Sequence, residues 1–199
     1  LSGNAIAVQI HIFVSHLIRF EILGMKTVLA VVAILFFCGF AQTADWLQDS
    51  SKVKLTFKTP GTFGEINGSF SGLKSTIHFD ENDLVSSSIT VYVDPKTIET
   101  GISLRNKHLR EEEKYLNTSR FAVASFTSKV IQKTTAGYQA LGDMTIKGVT
   151  KPLGIPFSFT RNASGGVFKG QFRINALDYK IGTGNKLVAF DFEIPVITK

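Results

Sequence analysis

From Val53 onward, apolar residues recur at every second position. Val53, Leu55 and Phe57 alternate with Lys54, Thr56 and Lys58; Ile77 and Phe79 alternate with Thr76 and His78; Ile89, Val91 and Val93 alternate with Ser88, Thr90 and Tyr92. A period of two marks a strand with one face buried and the other in water. Further strand-like runs cover 122–130, 138–147, 153–160, 167–177 and 187–197, with a short early one near 65–70. Turn-forming residues separate them: Pro60-Gly61, Asn67-Gly68, Ser71-Gly72, Glu81-Asn82-Asp83, Gly137, Gly148, Gly165-Gly166 and Gly182-Thr183-Gly184-Asn185. The pattern predicts an all-β domain of about eight antiparallel strands, closed as a barrel or stacked as a sandwich. A barrel of about eight strands either fills with side chains or encloses one small ligand.

One stretch breaks the alternation. From Thr97 to Leu116 the chain carries helix-forming, charged residues, including Arg105-Asn106-Lys107-His108-Leu109-Arg110 and Glu111-Glu112-Glu113. A short helical insert is expected around residues 100–116, covering one end of the strands. In a helix, Arg105, His108 and Leu109 share a face, at spacings of three and four. Leu109 would then pack inward, and Arg105 and His108 would point at the mouth as donors to a polar headgroup. The alternative is that Arg105 pairs with Asp94 or Asp143 and pins the insert.

The first 44 residues read differently from the rest. Met25-Lys26 looks like a start with a basic n-region, and Val28 to Phe40 is an apolar run of 13 residues. That suits a signal peptide over 25–44, cleaved after Ala41 or Ala44, and falls short of the roughly 20 residues of a membrane span. Residues 1–24 read as an upstream extension outside the fold. Cleavage after Ala44 leaves one domain over 45–199, with 20 of the 22 basic and 15 of the 16 acidic residues, a net of +5. These charges are scattered along strands, which points to a solvated face and away from nucleic acid.

Cys38 leaves with the signal, so the remaining chain has no thiol for catalysis, metal binding or disulfides. Its histidines are His78, read as a surface or structural residue, and His108. There is no HExxH, no paired carboxylate at metal spacing and no G-x-S-x-G elbow. Neither a metal, a cofactor nor a catalytic set is expected. Asn67, Asn117 and Asn162 start glycosylation-type triplets, a pattern that often arises by chance. Residues 45–199 hold 12 of the 17 phenylalanines. Composition alone leaves a packed Phe-rich core and a hollow, ligand-holding barrel both open.

Several ordered motifs resemble those of the YceI-like family. Trp46 is followed by Ser51-Lys52-Val53; Gly64 by Gly68-Ser69-Phe70; Ile98-Glu99-Thr100-Gly101 by Arg105-Asn106-Lys107-His108-Leu109. Phe121 through Phe126-Thr127-Ser128, the run from Gly142 to Pro152, and Asn175-Ala176-Leu177-Asp178-Tyr179-Lys180-Ile181-Gly182 complete the set. The chain departs from the family at Asn106, where aspartate is usual, at Ala176-Leu177, at Lys180, in the loop after Tyr115, and at Asp191-Phe192-Glu193.

The resemblance implies a lipocalin-like, eight-stranded antiparallel barrel with a hydrophobic pore, in a periplasmic or secreted protein. It implies non-enzymatic binding, storage or transport of a polyisoprenoid, quinone-type or fatty-amide lipid. On that reading Phe57, Phe79, Val91, Phe126, Met144, Phe157, Phe159, Phe172 and Phe192 line the pore, and Arg105 and His108 meet the headgroup. Contact with a membrane surface and a homodimer are left open. Two rival readings are an enzyme acting on a lipid headgroup near His108 and a structural interaction protein of the envelope.

Overall fold

The alternating runs become antiparallel strands joined mostly by tight turns. The computed structural model describes residues 45–61, 64–183 and 186–198; the expected targeting segment 25–44 and residues 1–24 lie outside them. Strands β1 (Asp45–Gln48), β2 (Lys54–Gly61), β3 (Gly64–Phe70), β4 (Leu73–Asp80), β5 (Asp83–Val93) and β6 (Ile98–Glu99) precede the helix α1 (Ser103–Glu111). Strands β7 (Ala124–Thr134), β8 (Gly137–Ile146), β9 (Val149–Asn162), β10 (Gly165–Asn175) and β11 (Leu187–Thr198) follow it.

Eight of these strands close a ring, in the order β1-β4-β5-β7-β8-β9-β10-β11 and back to β1. The fold is therefore the eight-stranded antiparallel barrel that the resemblance implies, one of the two architectures the alternation allows. The closing strand is the short β1, whose Trp46 sits opposite Thr198 and Ile77. His78 Nδ1 lies 3.0 Å from Asp45 Oδ1 and ties β4 to β1 across this seam. β2 pairs with the same flank of β11, between Ala189 and Glu193, and leads into β3 and β6 as a side branch. The changeover from β2 to β1 falls at Pro195, whose carbonyl accepts from the Asp49 amide at 2.9 Å. Proline has no ladder donor to lose there, and a change of partner strand suits it.

Inward positions follow the period. Leu55 and Phe57 are buried while Lys54, Thr56 and Lys58 are exposed. Register shifts at His78/Asp80 and Ser128/Val130 bend β4 and β7, as closure requires.

The end of the barrel away from α1 is solid. Phe79 is fully buried, and its ring meets those of Tyr138, Phe157, Phe159 and Phe168 edge-on, with centroids 5.1–5.6 Å apart. Such edge-to-face pairs add to their burial, about 0.5–1.5 kcal/mol each. Trp46 Nε1 donates to the Phe79 carbonyl at 2.9 Å, and the Arg161 guanidinium covers the Trp46 ring at 5.0 Å. The Tyr138 hydroxyl donates to Glu81 at 2.9 Å; burial, then that carboxylate, pushes its pKa up.

The opposite end is crossed by the insert. Its helix spans nine residues, shorter than the expected 100–116. Glu111, Glu112 and Glu113 put negative charge at the end of the helix that disfavours it. Glu112 is already extended, and the chain turns through Asn117 at positive φ.

Candidate ligand-binding cavity

Between the insert and the aromatic floor the barrel is hollow in two stages. An upper chamber of about 570 Å³ lies beneath α1. A lower one of about 100 Å³ reaches towards the floor. Leu55, Val93, Ala124, Met144 and Phe172 line both and form the waist between them. The upper volume is in the usual range for a small-molecule site, about 300–1,000 Å³.

Of the residues expected to line a pore, Phe57, Met144 and Phe172 line the upper chamber. Val91, Phe126, Met144, Phe157, Phe172 and Phe192 line the lower. Phe79 and Phe159 line neither: they belong to the floor, where Phe159 packs on Trp46 and Phe168 at 5.1 and 4.5 Å. The Phe57 ring occupies space that only a glycine opposite leaves free, since a Cβ on Gly68 would come within 2.4 Å of it. Phe172 and Phe190 stack nearly parallel at 5.0 Å on neighbouring strands.

Other liners escaped the sequence reading. Phe190 stands on the inward face of β11 with Phe192 and carried the same alternation signal. Phe70 and Ile98 sit at the ends of short strands, where alternation barely shows. Tyr115, Phe121 and Lys147 come from turns.

Arg105 and His108 both line the upper chamber, with Leu109 beside them on α1. His108 is half exposed, with Nδ1 3.6 Å from Glu112. Arg105 does not pair with Asp94 or Asp143. Asp94 caps the turn at Lys96, and Asp143 pairs with Lys129 at 2.7 Å.

The insert is pinned instead by its neighbours in sequence. The buried Asn106 accepts from the Thr100 amide and hydroxyl at 2.9 and 2.7 Å, and donates to Glu99 at 2.7 Å. Arg110 donates to the Ile98 carbonyl at 2.6 Å. With Asn106 turned to Glu99 and Thr100 and Arg110 to the Ile98 carbonyl, Arg105 is left beside the chamber with no ion-pair partner among the described residues.

The far end of the insert is clasped too. The Lys147 amine donates to the carbonyls of Glu113 and Lys180, and the Gly182 amide donates to the Lys114 carbonyl at 2.6 Å. Burial holds the Lys147 pKa below the usual lysine value. The rim of the chamber carries exposed apolar side chains, Ile102, Leu104 and Val123.

An apolar pouch, blind at one end and edged with basic residues at the other, defines a hollow, lipocalin-like barrel. Residues 46–198 match the YceI-like domain, and the chain belongs to the YceI-like family. It is 30% identical over 153 residues to the UPF0312 protein YE1254 of Yersinia enterocolitica, covering 74% of this chain and 79% of that protein.

Among solved structures it is similar to BcnA of Burkholderia cenocepacia, with a TM-score of 0.69 at 20% identity, covering 74% of this chain and 98% of that one. It is also similar to a polyisoprenoid binding domain from Saccharophagus degradans implicated in plant cell wall breakdown, with a TM-score of 0.61 at 18% identity. That match covers 79% of this chain and all of the other.

Proposed function

We propose that this protein is a non-enzymatic carrier or store for an isoprenoid-type amphiphile, working in the periplasm or after secretion. The observation that carries the reading is the apolar chamber beneath α1, with Arg105 at its wall and no ion-pair partner for it among the described residues. The tail lies in the two chambers and the headgroup stays at the mouth, within reach of Arg105 and His108. Quinone-type and fatty-amide lipids have the same build and fit the same arrangement. The similarity to a domain described as polyisoprenoid-binding supports the reading.

Burying each CH₂ group contributes roughly 0.8 kcal/mol. Binding costs about 4–15 kcal/mol in lost motion. About twenty buried carbons, contributing roughly 16 kcal/mol, therefore leave useful affinity, with little discrimination by tail chemistry. Ile102, Leu104 and Val123 give the mouth an apolar lip that suits docking on a membrane surface for loading.

The test is native mass spectrometry of protein purified from its own host. An apolar molecule should travel with the chain, and Phe172→Trp at the waist should displace it. A ligand-free wild-type protein with an interior that excludes added lipid would overturn the proposal. The His108–Glu112 pair supports a second reading, an enzyme acting on the headgroup. His108→Ala separates the two: a carrier keeps its tail affinity, and an enzyme loses turnover.

A further inference from the structure

The cavity has a bottom, and that sets a length. The lower chamber ends on Phe157 and Phe168, which are backed by the fully buried Phe79. Strand β11 runs beside both chambers, with Val188 and Phe190 at the upper and Phe192 and Ile194 at the lower.

From Val188 to Ile194 the strand advances about 20 Å, or about 15 Å along the barrel axis at a tilt of ~40°. An extended hydrocarbon with bonds of ~1.5 Å advances about 1.25 Å per carbon, so about twelve chain carbons span this depth. That is three isoprene units. The upper chamber continues under α1, against Leu109, and at ~30 Å³ per water-sized group its 570 Å³ holds about nineteen carbons, nearly four isoprene units. The lower chamber is too small for a chain to fold back in. At ~30 Å³ per water-sized group, its 100 Å³ accepts about three carbons, the leading part of one isoprene unit.

We infer that the cavity is gauged for tails of about three to four isoprene units, with the Phe157–Phe168–Phe79 floor as the length stop. This rests on the reading of the protein as an isoprenoid-type binder and narrows it. Units beyond the fourth remain outside the mouth and add nothing to affinity. Two alanines line the lower chamber: Ala124 lies at the waist, and Ala140, away from it, is 2% exposed. Ala140 decides whether the last unit can enter.

The experiment competes geraniol, farnesol, geranylgeraniol and solanesol against a fluorescent fatty-acid probe on the purified protein. Affinity should rise steeply from geraniol to geranylgeraniol, then change by less than about threefold to solanesol. Ala140→Phe should move the plateau down to farnesol. Phe168→Leu should lower the floor, so that tightening continues beyond geranylgeraniol; it serves equally should Ala140→Phe fail to fold. Solanesol binding more than about tenfold tighter than geranylgeraniol to the wild type overturns the length stop and leaves the binding reading intact. A plateau unmoved in both folded variants does the same. Failure of every alcohol to displace the probe overturns the binding reading itself.

Discussion

Asn106 Nδ2 donates to Glu99 Oε1 at 2.7 Å while its own Oδ1 accepts from the Thr100 amide and hydroxyl. One buried amide thus serves as donor to β6's carboxylate and acceptor for the next residue. Only a side chain with both functions can do this. An aspartate, the residue the family usually carries here, has acceptors alone when ionised. This chain replaces a charge with a two-way hydrogen bond, and the start of the insert depends on it.

Asn106→Asp should therefore loosen the insert. Removing the donor from a buried site costs about 1–3 kcal/mol. At roughly 2–4 °C per kcal/mol for a chain of this size, the melting temperature should fall by several degrees. Adding Glu99→Gln should restore part of the loss, because it removes the repulsion between two facing carboxylates. The recovery is partial, since Asn106 and the Gly101 amide both donate to Glu99 Oε1 and a glutamine cannot serve both contacts there. Calorimetry on the two variants checks this. No recovery in the double variant would mean that Glu99 is not the partner that matters.

Acidification should reach the same joint. The Asn106 amide, then the Gly101 amide, hold the Glu99 carboxyl below its ordinary value of 4.5. A carboxylate with a depressed folded pKa lends stability above its unfolded value and withdraws it as the pH falls through the folded one. Protection of the Thr100–Asn106 amides, taken relative to the intrinsic exchange rate at each pH, should therefore fall below about pH 4.5, before the barrel amides respond. Glu99→Gln should flatten that profile. Hydrogen exchange followed by mass spectrometry reads both.

The far clasp makes a kinetic prediction. Lys147 joins the loop after α1 to the turn at Lys180 through two carbonyls, at the edge of the upper chamber. Lys147→Met keeps the stem and removes the amine. The insert should then open more often, and bound lipid should leave faster by about tenfold with little change in capture rate. Stopped-flow release of a fluorescent fatty acid measures it. An unchanged release rate would mean that lipid does not leave past this clasp.

Much of the barrel could be read from alternation, because a period of two depends only on which side of a strand faces water. Alternation says nothing of height. Phe57, Phe79 and Phe159 carry the same inward signal, yet Phe57 lines the upper chamber while Phe79 and Phe159 are packed into the floor. Depth along the axis depends on stagger between strands that are far apart in sequence. β1 and β6, of four and two residues, are too short to show any period, so the closing seam could not be seen. Arg105 and His108 were legible because their meeting needs only one helix. The pinning by Asn106 and Arg110 was not, since its partners are the Ile98 carbonyl, the Glu99 carboxylate and Thr100.

The unpaired Arg105 gives the sharpest division between tail and headgroup. Arg105 lines the apolar chamber with no ion-pair partner among the described residues, while Asp94 and Asp143 are engaged elsewhere. An anionic headgroup would supply the missing partner through charge-assisted hydrogen bonds, worth about 1.5–3 kcal/mol. Arg105→Ala should then weaken geranylgeranyl phosphate by about 10–100-fold and geranylgeraniol by less than about threefold. Raising the salt should erode the wild-type preference for the phosphate, because the mouth is open to screening. Titration calorimetry with the two ligands decides it. Equal losses for both would place Arg105 against the tail, and no loss for either would remove it from the binding site.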